Sequence, residues 1–321
     1  MSDHFRPVAD PPTGLVVPRR PDPSGRTGPT PGQARGPGFR RTTPGFHVPA
    51  GTPTSVEQRI LEQAQRLPPG GAVGGWASLR LHGAAYFDGV GRRGDRPVPL
   101  VLPPGRTLHP FPGGRAVRAS ATPAVVVQYG VPCTDPYAAL LWELGQPTDA
   151  TAALVAVDMA LAAGVVRHDR LRSLTWDDLP RTRRSEALGA IQAADPRSLS
   201  PRETWLRWVW TDVADLGRPR CNWMVLGPDG RHLATPDLLD PVRGVAADYD
   251  GAAHRGAARH RRDERRKEAL LTVGLEHVTV VGQGPGDESE VAGRLLAAAD
   301  RAARRHEPRL WTVREGRLPG W

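Results

Sequence analysis

The stretch that most constrains this chain is "GVAADYDG", residues 244–251, which runs into a block of arginines. Side chains along a β-strand point alternately to its two faces. Val245, Ala247 and Tyr249 therefore share one face, and Ala246, Asp248 and Asp250 the other. The pattern predicts a strand that starts apolar and ends in two carboxylates on the same side, with a glycine opening into a helix. In open α/β sheets, ligands collect at that end of a strand. The competing reading of Asp248 and Asp250 is a pair of helix-start acids facing the helix dipole.

The surrounding residues extend the pattern. "SPRETWLRWVWTDV" predicts a serine-capped helix, and "NWMVLG" a strand. "RHLATPDLLDP" predicts a strand running into a turn. After "GVAADYD" come an arginine-rich helix over 254–273, the strand "LEHVTVV" and the helix "DESEVAGRLLAAADRAARRH". The order α-β-β-β-α-β-α, with a helix joining the third and fourth strands, describes a mixed-sheet α/β domain. Its expected span is 197–306, followed by a tail over 307–321.

Upstream, residues 54–196 read as an α+β domain. "TSVEQRILEQAQRL" has a Ser/Thr cap and apolar residues at helical spacing, "PVPLVLP" and "PAVVVQYG" read as strands, and "PYAALLWEL" and "TDATAALVAVDMALAAGVV" as helices. In the last of these, Asp158 is the one acid on a largely apolar helix, which suggests a structural hydrogen bond. Residues 1–53 are rich in Pro, Gly and Arg and hold too few apolar side chains to bury a core alone. They are expected to be extended or disordered, with room for a short hairpin around Phe39, Phe46 and Val48.

A chain of 321 residues suits two domains. The 43 basic against 34 acidic residues give a net charge of +9, which suits a polyanionic partner. Lys267 is the only lysine. That arginine bias fits phosphate recognition, and a GC-rich genome would produce it equally. Cys133 and Cys221 lie far apart without Cys or His neighbours, which excludes a disulfide framework and a zinc ribbon. No apolar run approaches membrane-spanning length, and the N-terminus has no apolar signal core. The expected location is the cytoplasm.

Two further acids are placed to join Asp248. Asp237 follows Pro236 at the end of the preceding strand, and an 11-residue separation through a turn brings hairpin-connected strands side by side. Glu203 lies near the core-facing stripe of its helix, where a glutamate is unusual without a partner. A capping box with Ser200 explains it equally well. Converging carboxylates repel unless a cation lies among them, and magnesium, with its hard oxygen ligands, answers that need.

Glu203 on a helix, then Pro236-Asp237, then "DYDGAAH" and "RRDERRKEALLTVGLEHVTVV", resembles the PD-(D/E)XK nuclease superfamily. More closely, it is similar to a domain of unknown function related to very-short-patch-repair endonucleases. The resemblance covers about residues 198–285 and implies a restriction-endonuclease-like fold that hydrolyses phosphodiesters. It makes Glu203 the acid of the N-terminal helix, and Asp237 and Asp248 the ligands of Mg2+ or Mn2+. Asp250 then stands where the superfamily has a lysine. His254, one helical turn on, is the candidate to replace it as general base or phosphate donor; its other reading is a helix cap. Glu203, Asp237, Asp248, Asp250 and His254 form the expected catalytic set.

Arg255, Arg259, Arg262 and Arg266 recur at three and four, so they share one helix face. That face reads either as a track for a phosphate backbone or as a solvated surface. "RGPGFRRTTPGFHVPA" with "GWASLRLHGAAYFDG" resembles the front half of AbiEi-type antitoxins of type IV toxin-antitoxin systems, with Pro and Gly where recognition helices would stand. Two functions remain: a magnesium-dependent DNA endonuclease, or a DNA-binding, antitoxin-like regulator whose nuclease fold has lost catalysis. DNA is the expected partner and a homodimer is allowed, with no membrane and no small-molecule cofactor.

Overall fold

A computed structural model of the chain describes residues 6–91, 94–146, 151–250 and 268–316. The architecture is mixed α/β, with several sheets. Two compact units divide it: Met1–Asp149 with Met159–Ala193, and Ala150–Asp158 with Ala194–Trp321. The second unit thus starts close to the boundary expected at 196, but it also takes in an earlier segment. None of the helices among the described residues is long and apolar enough to cross a membrane.

In the first unit, Phe39–Arg41 and His47–Pro49 pair as an antiparallel hairpin, and Phe46 and Val48 are buried. The rest of residues 6–53 is mostly extended, apart from the short helix Pro31–Arg35. Asp22 closes a turn there: its carboxylate accepts from the Ser24 N–H and hydroxyl at 2.9 and 2.8 Å, and from the Thr27 N–H and hydroxyl, both at 2.9 Å. The helix Val56–Ala64 is capped by Ser55, and the helix Pro136–Leu144 by Asp135. A five-stranded mixed sheet runs in the order Gly114–Arg118, Val98–Leu102, Ala72–Val73, Val131–Thr134, Val125–Gln128. Cys133 is buried on it.

The second unit carries the predicted acids. Helix α1, Pro201–Trp208, begins at Ser200, whose hydroxyl accepts from the Glu203 N–H at 3.2 Å, and Pro201 occupies the first turn, where its missing N–H costs nothing. It continues as a π-helical turn, Val209–Val213. Strands β1 (Arg220–Cys221), β2 (Trp223–Leu226), β3 (His232–Ala234), β4 (Leu238–Asp240) and β5 (Val245–Asp250) follow. Then come a helical stretch at 268–272, β6 (Glu276–Val281), α2 (Glu288–Ala303) and β7 (Thr312–Glu315).

These strands form two sheets. One has the order β1-β4-β5-β6, with β4 and β5 antiparallel and β5 and β6 parallel. The other is β3-β2-β7. "RHLATPDLLDP" is therefore two strands in separate sheets rather than one strand and a turn, with Thr235 to Asp237 as the crossing point. Pro236 has no N–H for a sheet ladder, so pairing breaks there. The C-terminal residues expected as a tail supply β7, whose register with β2 sets Val225 opposite Val313. A single valine among polar residues was too weak a signal of that strand.

Alternation along β5 decides the packing. Val245 and Ala247 join Leu238, Trp205, Leu206, Trp210, Val291 and Leu295 in a core under α1 and α2. Ala246 joins Leu239, Leu270, Leu275 and Val225 on the opposite face. Each fully buried Leu or Val contributes about 1.5–3 kcal/mol, so a one-residue slip of β5 would lose both cores at once.

Asp158 and Arg207 are paired inside this unit at 2.5 Å and are 0% and 2% exposed. The carboxylate also accepts from the Thr204 hydroxyl and the Asp195 N–H, both at 2.8 Å. Burial pushes the Asp158 carboxyl above its ordinary value, against the pull of Arg207 and these hydrogen bonds.

Candidate active site

Asp237 immediately precedes β4. Leu238 pairs with Ala247, so the next opposed pair in the antiparallel register is Asp237 with Asp248. The Asp237 N–H donates to Asp248 Oδ1 at 2.9 Å, and the Tyr249 N–H donates to Asp237 Oδ2 at 2.6 Å. The two aspartates therefore hold each other's strand ends through main-chain donors. The Tyr249 hydroxyl donates to the Gln283 carbonyl at 2.6 Å, and its ring meets Trp205 edge to face. These contacts fix the far face of the same strand.

Glu203 reaches this end of the sheet from the first turn of α1. Its Oε2 accepts from the Leu199 N–H at 2.9 Å and from Asn222 Nδ2 at 2.8 Å. The Ser200 N–H is not its partner, so the reciprocal capping box is absent and only the Ser200 half of it forms. Burial pushes the Glu203 carboxyl above its ordinary value, the hydrogen bonds from Leu199 and Asn222 oppose that rise, and the neighbouring Asp248 charge adds to it. Asp248 is thus close enough to Glu203 for its charge to disfavour ionisation of the buried carboxyl.

Asn222 and His277 are additions that sequence reasoning missed. Asn222 sits between β1 and β2 with a left-handed φ of 53°, a conformation that asparagine tolerates better than most residues. The kink lets Nδ2 bridge Glu203 and the Arg197 carbonyl, at 2.8 and 2.7 Å, while its N–H donates to the Asp237 carbonyl at 3.0 Å. His277 pairs with Ala246 in the parallel β5–β6 register and so shares the face of Asp248. Its Nε2 lies 2.8 Å from Asp248 Oδ2. The available signal was a polar residue at the alternating position in "LEHVTVV", on the face that β5 fills with Asp248.

Asp250 ends β5 opposite Val281, on the Asp248 side by alternation. His254, Arg255, Arg259, Arg262 and Arg266 lie outside the described residues. Along the outer edge of β6 runs an open cleft of about 350 Å³, lined by His277, Val278, Thr279, Arg294, Ala297 and Arg301. Arg294 brings positive charge to it, whereas Arg301 is paired with Glu276 at 3.0 Å.

Among the described residues, no group of three or more His, Cys, Asp or Glu side chains is placed to hold a metal ion. The expected convergence of Glu203, Asp237 and Asp248 on one ion is therefore replaced by a narrower arrangement: the opposed pair Asp237 and Asp248, with Glu203 tied to Leu199 and Asn222. The pair still fits a hard divalent cation chemically. An ionised carboxylate has about four lone-pair positions, and magnesium commonly takes one or two protein carboxylates together with waters and substrate phosphates. No family model, curated protein or solved structure matches the chain.

Proposed function

We propose that the second unit is a metal-dependent endonuclease acting on DNA, with a restriction-endonuclease-like fold. The observation that carries this reading is the opposition of Asp237 and Asp248 across β4 and β5, with Glu203 beside them. The order of a helix, an antiparallel run of strands, and a parallel strand reached through a long connection agrees with it. On this reading Asp237 and Asp248 hold Mg2+ or Mn2+, which supplies Lewis-acid polarisation of a phosphoryl oxygen and a more acidic bound water. Glu203, with its raised carboxyl, is suited to hold a proton beside the pair. Arg294, along the β6 cleft, offers charge to the phosphate backbone, with Arg255, Arg259, Arg262 and Arg266 as further candidates. His254 and Asp250 complete the proposed catalytic set.

A second reading is favoured by two findings: the carboxylates already accept main-chain and side-chain hydrogen bonds, and the described residues hold no three-ligand group. Under it, the unit binds DNA without cutting, as a regulator of the antitoxin kind. One experiment separates the two. Purified full-length protein is incubated with plasmid and oligonucleotides, with Mg2+, Mn2+ or EDTA, beside Asp237→Ala and Asp248→Ala. Metal-dependent cleavage lost in both variants supports the nuclease. Cleavage that survives them refutes the site, and retarded DNA without cleavage under any metal supports the regulator.

A further inference from the structure

We infer that His277 is a positioning residue that orients Asp248 for the metal ion, an inference that rests on the nuclease reading above. Asp248 is gripped from both neighbouring strands. From the β4 side, the Asp237 N–H donates to Oδ1 at 2.9 Å, and from the β6 side, His277 Nε2 meets Oδ2 at 2.8 Å. One donor is the main chain at the residue that precedes β4; the other is a ring on a side chain only 4% exposed. Held from opposite flanks, the carboxylate plane is fixed relative to the sheet. A carboxylate oriented in this way gives up less freedom when an ion binds, which is how outer partners raise metal affinity.

Packing alone does not explain this histidine. Among the described residues, His277 Nδ1 is buried without a hydrogen-bond partner, and so is the Thr279 hydroxyl two residues on, along the same face. Buried polar atoms without partners are costly and uncommon. The same side of the sheet also carries the apolar cluster of Ala246, Leu239, Leu270 and Leu275, which an apolar side chain at 277 would extend without that cost. Among the described residues, this ring's polar contact is the one between Nε2 and Asp248; a carboxylate there can only accept, which calls for the ring proton on Nε2.

The test measures Mn2+ binding to the full chain by the loss of the free-ion electron paramagnetic resonance signal, without nucleic acid. His277→Gln places an amide donor near the Nε2 position, His277→Asn is too short to reach, and His277→Phe fills the space without a donor. Circular dichroism checks folding of each. The expected result is a Kd for Mn2+ raised about 10–100-fold in the Asn and Phe variants, the usual scale for an outer partner, with most of the affinity restored in Gln. Equal affinity in all four proteins, or an equal loss in all three variants, overturns the inference while leaving the metal site in place. Absence of Mn2+ binding by the unaltered protein overturns the metal-dependent reading and this inference together.

Discussion

Asp237 and Asp248 are linked through main-chain N–H groups at both strand ends: the Asp237 amide donates to Asp248 at 2.9 Å, and the amide after Asp248, that of Tyr249, donates to Asp237 at 2.6 Å. The pairing makes the two carboxylates a structural unit as well as a candidate site. Substitutions there must be chosen to separate the two roles.

Asp248→Asn keeps the shape and an acceptor for the Asp237 N–H but removes the charge. On the nuclease reading, cleavage falls by about 100-fold or more, the scale of removing one group that stabilises transition-state charge. The thermal midpoint falls less than the activity, because the amide keeps one of the two oxygens and sets an NH2 against His277. Plasmid-nicking rates beside thermal melts check both halves. A loss of activity that only tracks unfolding would count against the catalytic role.

The Asp158–Arg207 pair is buried, so removing one partner strands a charge. Asp158→Ala is expected to lower stability by about 3–5 kcal/mol. Joint replacement by Asp158→Leu and Arg207→Met is expected to cost much less, because no charge is left uncompensated. Urea unfolding of the three proteins measures the difference, and equal losses would contradict the account.

Both cysteines are buried, and burial pushes the Cys133 thiol up to about 12 and raises the Cys221 thiol well above its ordinary value. The reactive species is the thiolate, so neither reacts at neutral pH in the folded protein. Ellman's reagent is expected to count no thiols in buffer and two after denaturation. Rapid labelling of the native chain would contradict this burial.

Hydrogen bonds from Thr27 and Ser24 hold the Asp22 carboxyl below the ordinary aspartate range. A depressed carboxyl contributes stability that is present above its unfolded value and lost as pH falls through the folded one. The turn is therefore expected to loosen only in strong acid, below about pH 3.9. Exchange of the Thr27 amide, followed by NMR against pH, reads this locally, and Asp22→Ala should show fast exchange at every pH.

Much of the second unit was legible because its signals are local. Alternation in "GVAADYD" placed Asp248 away from the α1–α2 core, and the separation of Asp237 from Asp248 matches the antiparallel register. Ser200 and Pro201 announced α1. What stayed hidden depends on partners distant in sequence. Leu238–Asp240 is short, and it separates from "RHLA" only because another sheet claims those residues. Glu203 was open between a cap and a site, and its carboxylate is held by Leu199 and by Asn222, whose left-handed kink no spacing rule announces. His277 looked like one polar residue in an apolar strand until the parallel register set it beside Asp248.

The placement of β7 bears on how the chain reaches its fold. β2 pairs locally with β3 but meets β7 only after the whole stretch carrying β4, β5, β6 and α2 has been made, so the β3-β2-β7 sheet closes a long loop late. During synthesis, one side of β2 waits with open main-chain groups, a template for the wrong strand. Slow pairing of this last strand would set the pace of refolding, and crowding by nascent copies would be most damaging before it arrives.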